Sequence, residues 1–381
     1  MDRQEARAED IVIPEIPVRQ YDIPDTDALR FVRRLGPGWN LGNTFDATRR
    51  GFSGPMEMAL EGAWCGVRTT DDMIGAVAAA GFGTLRLPVS WHDHVDADFN
   101  ISPRWLDRVR EAADMALRRG LNVILNTHHD ETPSHLSFTE KTYPTAEKYI
   151  TRIWRQLSAC FSGYDDHLIF ESMNEPRLKG HAREWRFDAS DPDCREAAAC
   201  INRLNQAFVD TVRSAGGHKD RFLLVPGYAA APAHALSDLF DLPADPSPGR
   251  LAVSVHAYVP FGFALDAEEV TRFSLTDEGQ TGEIDSFMDG LYRKFVSRGI
   301  PVVLGEFGAR EKGGPLRDRV DYTAYYAASA AARGMPVCWW DNNAFSGRGE
   351  NFGLLDRRTL EWPYPQIVGA VMRYALRDIE G

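Results

Sequence analysis

The sequence predicts a (β/α)8 TIM barrel, an α/β fold in which eight parallel strands alternate with helices. Two observations predict it: short β-rich runs recur eight times along the chain, and amphipathic helical patterns separate most of them. Repeated strand-helix units imply right-handed crossovers and a parallel sheet, and eight such units close most economically into a barrel. An open doubly wound sheet is the competing arrangement. A glycine-rich turn after the first strand that leads directly into a helix would favour it, but Gly42-Asn43-Thr44 opens a long loop instead.

The predicted strands and helices follow one another regularly. The strands are residues 38–43, 84–90, 122–128, 167–173, 221–227, 251–257, 302–307 and 337–341. The clearest helices are residues 70–80, 103–119, 146–160, 195–215, 284–298 and 316–333. Several helices are followed by a glycine, which tolerates the backbone conformation found at a helix end. These glycines are Gly81, Gly120, Gly216, Gly299 and Gly334.

We expect a single barrel domain over residues 31–381, preceded by an N-terminal extension of residues 1–30 that is rich in proline and acidic groups. A length of 381 residues does not force a division, because barrels of this kind commonly exceed about 250 residues as one domain. Segments 177–195 and 259–283 are too long and polar for plain connectors. We expect both to form walls of a binding cleft.

Charge and hydropathy restrict the partners of the chain. The formal net charge of −12 argues against binding to nucleic acid or to an anionic membrane, which needs clustered lysine and arginine. No run approaches the roughly 18 apolar residues of a membrane helix, so we expect no membrane insertion. A neutral substrate is the expected partner, and the sequence does not indicate an oligomeric state.

The N-terminus and the cysteines bear on the cellular compartment. Residues 1–20 lack the short apolar core of a secretory signal, so we expect either a cytoplasmic protein or an extracellular one whose signal has been removed. The five cysteines are odd in number and show no Cys-x-x-Cys spacing. We therefore expect neither a disulfide framework nor a cysteine zinc site. A single disulfide between Cys194 and Cys200 remains an alternative.

The active site of such a barrel is expected at the C-terminal ends of the strands. Polar or aromatic residues occupy seven of these ends, at 39–43, 86–91, 126–130, 173–176, 256–258, 305–308 and 339–342. Six of them carry ionisable groups that a packed layer of the barrel would not tolerate. Their joint occurrence at the ends of the strands predicts a site of chemistry.

Glu175 and Glu306 follow or end the fourth and seventh predicted strands, so they would face each other across the barrel mouth. Two carboxyl groups about 5–5.5 Å apart suit a retaining glycosidase, whereas an inverting enzyme needs a wider gap for water. We expect Glu306 to be the nucleophile, kept ionised and oriented by Arg86 and by the Tyr258 hydroxyl. We expect Glu175 to be the acid/base, kept protonated by burial beside a second carboxylate.

Other residues are candidates for binding a sugar. Asn174 would hydrogen-bond the sugar 2-hydroxyl, and Trp340 offers a flat apolar face to a pyranose. Consecutive strand residues point to opposite faces, so we expect only one of Trp339 and Trp340 to face the mouth. For the same reason, one of His128 and His129 is expected only to pack.

Taken together, these residues resemble glycoside hydrolase family 5, the large family of endoglucanases and mannanases, over about residues 35–375. The resemblance implies an active site at the strand ends. Its members here are Arg86, a histidine of the pair His128-His129, Asn174, Glu175, His256, Tyr258, Glu306 and Trp340. Segment 39–44 and His128-His129-Asp130 look most like the bacterial endo-β-1,4-glucanase branch, in which Asn43 and an acid near Asp46 would bind sugar at the non-reducing side.

The resemblance implies a retaining endo-β-1,4-glucanase that acts on a β-linked polysaccharide or oligosaccharide and needs no cofactor or metal. Trp91 is a further candidate for binding or supporting the substrate. A β-mannanase, a xyloglucanase or an exo-β-glucosidase with the same mechanism stays an alternative.

Two interpretations from other classes remain. His92-x-His94, His128-His129, His256 and Asp341 would suit a metal-dependent hydrolase if they converged at the barrel mouth. A non-catalytic sugar-binding barrel would keep the aromatic cleft, but such proteins usually lose one of the two carboxylates, and both are present here.

Overall fold

The computed structural model describes residues 11–48, 57–266 and 270–376, and eight parallel strands form a closed barrel within these ranges. The strands are β1 (Gly38–Leu41), β2 (Thr84–Leu87), β3 (Asn122–Asn126), β4 (Leu168–Glu171), β5 (Leu223–Pro226), β6 (Leu251–His256), β7 (Val302–Phe307) and β8 (Val337–Asp341). Each strand pairs with the next, and β1 pairs with β8, from Gly38 beside Cys338 to Leu41 beside Asp341. The predicted (β/α)8 barrel is confirmed as a single domain.

The described part of the chain contains ten α-helices. They are α1 (Asp27–Arg34), α2 (Asp71–Ala79), α3 (Pro103–Leu117), α4 (Tyr143–Cys160), α5 (Pro192–Ser214), α6 (Pro232–Ala235), α7 (Phe261–Ala264), α8 (Glu278–Lys294), α9 (Leu316–Ala332) and α10 (Pro365–Tyr374). All six predicted helices are present within a few residues of their expected bounds. The sequence reasoning missed α1 and α10, together with the two single-turn helices α6 and α7.

Helix ends explain much of this regularity. Threonine or aspartate side chains cap several first turns: Thr70 accepts a hydrogen bond from the backbone of Met73, and Asp277 does the same at the start of α8. Four of the five predicted glycine stops have the left-handed backbone that favours glycine, with φ between 74° and 97°. After α5 the left-handed residue is Gly217 and not Gly216, because Ala215 is already extended when the helix ends.

The strands are buried along their whole length, as expected of a parallel sheet that is covered by helices. Besides His256 and Glu306, which contact Arg86, five of the buried strand residues are polar and hydrogen-bond to one another across the barrel interior. They are Asn40, Arg86, Asn126, Glu171 and Ser254. The upper part of the barrel is therefore a polar layer, and this layer supports the site at the strand ends.

The segment before α1 lies against the C-terminal helix and against α8. The backbone N–H of Ile16 donates to the Tyr374 hydroxyl at 3.1 Å, and the Tyr21 hydroxyl donates to Asp289 at 2.5 Å. The predicted boundary at residue 30 falls within α1, whose Leu29 and Phe31 are part of the core. The division into extension and barrel stays a prediction, and residues 1–10 and 377–381 lie outside the described residues.

All five cysteines are free thiols, so the pair Cys194–Cys200 that the sequence left open is not formed. Both residues lie on α5, and six residues of helix rise about 9 Å, beyond the reach of a disulfide. Among the described residues no helix is long and apolar enough to cross a membrane.

Candidate active site

A cleft of about 690 Å³ opens at the C-terminal ends of the strands. Nine predicted site residues line it: Asn43, His128, His129, Asn174, Glu175, His256, Tyr258, Glu306 and Trp340. The two long segments form its walls as predicted, with Trp185 from segment 177–195 and Phe261 from segment 259–283. Residues 267–269 of the second segment lie outside the described residues.

Glu175 and Glu306 face each other in this cleft. One carboxylate oxygen of each and one ring nitrogen of His256 all lie within 4.8 Å of one another. This separation fits the roughly 5–5.5 Å of a retaining pair and is too small for the water that an inverting pair holds between its carboxyl groups. The arrangement allows one carboxylate to attack a sugar carbon while the other protonates the departing oxygen.

Glu306 is 5% exposed and receives two donors. Arg86 donates from Nη1 to Oε1 at 2.7 Å, and the Tyr258 hydroxyl donates to Oε2 at 3.0 Å. Burial and the Glu306 charge hold the pKa of Tyr258 well above its usual range, so this hydroxyl stays a donor. Both carboxylate oxygens of Glu306 are thus fixed in orientation, as the sequence predicted for a nucleophile.

Glu175 has a different partner, the imidazole of His256. Nδ1 of His256 lies 2.9 Å from Oε1 of Glu175, and Nε2 lies 3.3 Å from Nη2 of Arg86. Because a guanidinium nitrogen only donates, we assign Nε2 as the acceptor, which leaves the hydrogen on Nδ1 for Glu175. Asn174, one residue before Glu175, accepts from Arg86 at 2.8 Å and keeps its amide N–H groups for a ligand.

The two carboxyl groups titrate as a coupled pair. Burial raises the pKa of Glu306 and the charge of Glu175 adds to the rise, while His256 and Arg86 oppose it, and the net direction is upward. Burial also raises the pKa of Glu175, but the hydrogen bond from His256 is the first of the contacts that oppose this rise, and the net pKa falls. This order reverses the expectation that burial beside a second carboxylate would keep Glu175 protonated, and the His256 donor is the physical reason.

Arg86 is fully buried, and each of its five N–H groups faces an acceptor. Besides Glu306, Asn174 and His256, the acceptors are Asn40 at 2.9 Å and Glu171 at 2.9 Å. Burial lowers the pKa of Arg86, but the charges of Glu171 and Glu306 more than offset this and raise it overall. The guanidinium is therefore a permanent cation that is held between two carboxylates.

Aromatic side chains form flat surfaces around the carboxylate pair. Trp340 lines the cleft, whereas Trp339 is fully buried and donates to the backbone of Phe352, so only one of the two faces the mouth, as predicted. Trp64 and Trp185 also line the cleft and are 44% and 60% exposed. Rings of this kind, exposed along one cleft, suit the apolar faces of several sugar units.

The expectation that one of His128 and His129 only packs is wrong. Both line the cleft, with ring centroids 4.5 Å apart and planes at 78°. Strand β3 ends at Asn126, so the alternation of strand faces no longer applies to these two residues. Burial lowers the pKa of His128 well below its usual range and that of His129 to about 4, so both rings are neutral near pH 7.

Two other predicted residues lie outside the cleft. Asp46 is fully buried beneath it and accepts hydrogen bonds from the backbone of Asn43 and Thr44, and burial raises its pKa to about 7. It shapes the turn that presents Asn43, whose φ is 57°. Trp91 is also fully buried and donates to the backbone of Asn126 at 3.0 Å. Both side chains are buried, so neither faces the cleft as a direct binding residue, and Asp46 lies 3.9 Å from His129. A supporting role for either residue stays a prediction.

The histidine set of a metal-dependent hydrolase converges only in part, because His128, His129 and His256 line the cleft whereas His92, His94 and Asp341 do not. The ring of His94 stacks on Trp105 with centroids 3.7 Å apart, and His92 contacts Asp130. Asp341 points into the barrel wall, where it accepts from the Trp39 indole and from the backbone of Leu354. These groups lie apart from His256 because each is held by its own structural partner.

Several residues of the site were not predicted. Trp64, Arg177, Trp185 and Glu350 line the cleft from loops, where no periodic pattern marks them. Glu171 lies below the cleft in β4 and contacts Arg86 directly. The available signal for it was a single carboxylate at the end of the otherwise apolar run Leu168–Glu171.

Comparison with known proteins agrees with this site. The family model described as Cellulase (glycosyl hydrolase family 5) matches residues 43–346. Endoglucanase 1 of Ruminococcus albus is 39% identical over 387 residues, covering 98% of this chain and 89% of that protein. Endoglucanase B of the same organism is 40% identical over 374 residues, covering 96% of this chain and 86% of that protein.

Solved structures are similar over nearly the whole chain. A mutant glycoside hydrolase 5 lichenase from Caldicellulosiruptor sp. F32, in complex with cellotetraose, superposes with a TM-score of 0.94 at 53% identity, covering 96% of this chain and 99% of that chain. A broad-specificity endoglucanase from Ruminococcus champanellensis with bound cellotriose has a TM-score of 0.85 at 37% identity, covering 92% of this chain and 100% of that chain. The chain therefore belongs to glycosyl hydrolase family 5, the cellulase family of retaining glycosidases.

Proposed function

We propose that the protein is an endo-β-1,4-glucanase that hydrolyses β-glucan with retention of configuration, using Glu306 as the nucleophile and Glu175 as the acid/base. The observation that carries this proposal is the facing pair itself, with oxygens within 4.8 Å and with Arg86 and Tyr258 hydrogen-bonded to Glu306 but not to Glu175. A group held by two donors on its two oxygens is oriented for attack. A group with one neutral donor on one oxygen is free to exchange a proton through the other.

In the first step, Glu306 attacks the anomeric carbon and forms a glycosyl ester while the bond to the leaving oxygen breaks. The proton of Glu175 passes to that oxygen, so the departing sugar leaves as an alcohol. The reactive form of the coupled pair carries its charge on Glu306 and its proton on Glu175 before the attack begins. The positive charge that develops on the ring in the transition state lies beside Glu306 and favours this form.

In the second step, Glu175 removes a proton from water, and the water oxygen attacks the same anomeric carbon. The ester bond breaks, Glu306 is released as a carboxylate and Glu175 is again protonated, so both groups return to their starting state. Two inversions at one carbon give net retention. Asn174 supports both steps by donating to the sugar 2-hydroxyl from the amide nitrogen that Arg86 leaves unused.

The shape of the cleft supports a polymeric β-glucan as substrate. Exposed Trp64 and Trp185 extend the apolar surface of Trp340 along an open groove, which favours binding several sugar units and cleaving between them. The named relatives are endoglucanases, and two of the similar structures hold cello-oligosaccharides. The similar lichenase makes mixed-linkage β-glucan the first polymer to test.

Reducing-sugar release from mixed-linkage β-glucan, carboxymethyl cellulose, xyloglucan and mannan tests the proposal, with Glu306→Ala as the control. We expect release from the β-glucans by the wild type alone. Release from mannan or xyloglucan in preference to the β-glucans would replace the substrate and keep the mechanism. If no reducing sugar is released from any of the four polymers but cello-oligosaccharides bind tightly, the proposal is contradicted and the protein is a non-catalytic sugar-binding barrel.

A further inference from the structure

We propose that Glu171 is a positioning residue for the hydrolytic reaction, which holds the inner edge of the Arg86 guanidinium so that the arginine aims an N–H at Glu306. This inference rests on the proposed role of Glu306. Glu171 lies at the end of β4, is fully buried, and does not line the cleft. Any effect on the reaction must therefore pass through the groups that it contacts.

The contacts of Glu171 clamp one edge of Arg86. Its Oε2 lies 2.9 Å from Nε and 2.8 Å from Nη2, so one oxygen sits between the two nitrogens of that edge. Because the guanidinium is planar and rigid, fixing this edge fixes the direction in which Nη1 points. Nη1 then reaches Glu306 at 2.7 Å and Asn40 at 2.9 Å.

Glu171 is itself held from two other strands. Asn126 on β3 donates to Oε2 at 3.0 Å, and the Ser254 hydroxyl on β6 donates to Oε1 at 2.5 Å. The clamp therefore ties β2, β3, β4, β6 and β7 together directly beneath the carboxylate pair. A displacement of about 1 Å in a catalytic group lowers the rate on the order of 100-fold. By preventing such a displacement of Arg86, the clamp would preserve much of the activity.

Glu171 also determines how much of the positive charge of Arg86 acts on Glu306. The cation lies between two carboxylates, and both contribute to the rise in its pKa. A neutral side chain at position 171 would leave the whole charge of Arg86 facing Glu306 and remove one negative charge from the neighbourhood of the pair. Both changes stabilise the Glu306 anion, which makes it a less basic and weaker nucleophile.

The charged and titratable groups that face Glu306 come from four parts of the barrel. They are Arg86 on β2, Glu175 after β4, His256 and Tyr258 at β6, and Cys338 and Glu350 on and after β8, and Glu171 on β4 joins them through its contact with Arg86. Replacing Glu171 changes the charge of this group by one unit and leaves the other members in place. The expected pH effect can thus be assigned to that carboxylate through a single substitution.

The test is Glu171→Gln, measured as kcat/KM against pH with an aryl β-cellobioside. The matched control is Asp245→Asn, which neutralises a carboxylate that binds Arg213 through both oxygens at 2.7 Å and is 7% exposed, away from the cleft. We expect Glu171→Gln to lose about 10- to 100-fold in kcat/KM and to shift the whole pH profile down by on the order of one unit. Asp245→Asn should change stability alone. An unshifted profile in Glu171→Gln, with a rate loss no larger than that of the control, would overturn the inference.

A second variant covers the case in which Glu171→Gln does not fold. Ser254→Ala keeps the carboxylate and its charge but removes the 2.5 Å hydrogen bond to Oε1. We expect it to lower kcat/KM several-fold with an unshifted pH profile, and an unchanged kcat/KM would contradict the clamp. Absence of activity of the wild-type protein on every β-glucan would instead contradict the proposed function, on which this inference rests. Azide restores activity to Glu306→Ala and not to Glu171→Gln if the two residues act as proposed.

Discussion

The Tyr258 hydroxyl donates to Oε2 of Glu306 at 3.0 Å, on the oxygen that Arg86 does not contact. The carboxylate thus has a neutral donor on one oxygen and a cation on the other. Tyr258 comes from the loop after β6 and Glu306 from β7, so the barrel and not local sequence brings them together.

Removing this hydroxyl should slow the reaction without abolishing it. A hydrogen bond to a charged group contributes about 1.5–3 kcal/mol, so Tyr258→Phe should lower kcat by roughly 10- to 100-fold. Tyr325→Phe is the matched control, because the Tyr325 hydroxyl donates to Asp285 at 2.7 Å away from the cleft. Equal kcat for Tyr258→Phe and wild type would show that Glu306 does not depend on this donor.

The plot of kcat/KM against pH should be bell-shaped, with one apparent pKa below and one above the ordinary glutamate pKa of 4.5. The active form holds one proton on the pair. Falling pH adds a second proton to the pair at the lower of its two pKa values, so no carboxylate is left to attack. Rising pH removes the last proton at the higher of the two, so no acid is left to protonate the leaving oxygen. Two limbs that both lie below 4.5 would contradict the directions of these shifts.

Glu175→Gln should separate the two halves of the reaction. The amide has no proton to give, so substrates with a poor leaving group should slow by about 10²–10⁴-fold in the first step. Activated aryl glycosides, which leave without a proton, should lose far less, and the alkaline limb of their pH profile should disappear. If both leaving groups slow equally, Glu175 is not the acid.

Trp185→Ala should weaken the binding of long substrates. Trp185 stacks over Arg177 at 3.9 Å, and Arg177 donates to the backbone of Glu175. If Glu175 is the acid, as proposed, we expect the ring to lie on the leaving-group side. We expect KM for cello-oligosaccharides to rise about tenfold, equivalent to about 1.4 kcal/mol, and KM for an aryl β-cellobioside to change little. Trp185→Phe keeps a flat face and should recover most of the affinity. Equal changes for long and short substrates would argue against this position.

The fold was predictable because eight short β-rich runs recur along the chain and helical patterns separate most of them. Strands β7 and β8 have the predicted bounds, and the others end one to three residues early at the C-terminal side, where the chain turns into the cleft. Helix α1 was missed because it lies in a segment whose prolines and acids resemble a linker, although Leu29 and Phe31 reach the core.

The site was predictable only in part, for physical reasons. Strand ends show which residues meet at the mouth, so Glu175, Glu306 and Arg86 were found. Sequence does not show how a turn closes, and Asp46 therefore looked like a binding acid although it folds back onto the amides of Asn43 and Thr44. The sequence also does not show which side chains from distant strands contact each other. The contact between Glu171 on β4 and Arg86 on β2 is therefore seen only in the folded barrel.

The proposed mechanism requires a covalent glycosyl ester on Glu306. Incubation with an activated 2-deoxy-2-fluoro-β-cellobioside should trap that ester, because the fluorine slows both steps and the activated leaving group restores the rate of the first step alone. We predict a mass increase of one fluorinated cellobiosyl group per chain, located by peptide mass spectrometry on the peptide that contains Glu306. A label on Glu175, or turnover of the reagent with no label and with an inverted product, would contradict the account.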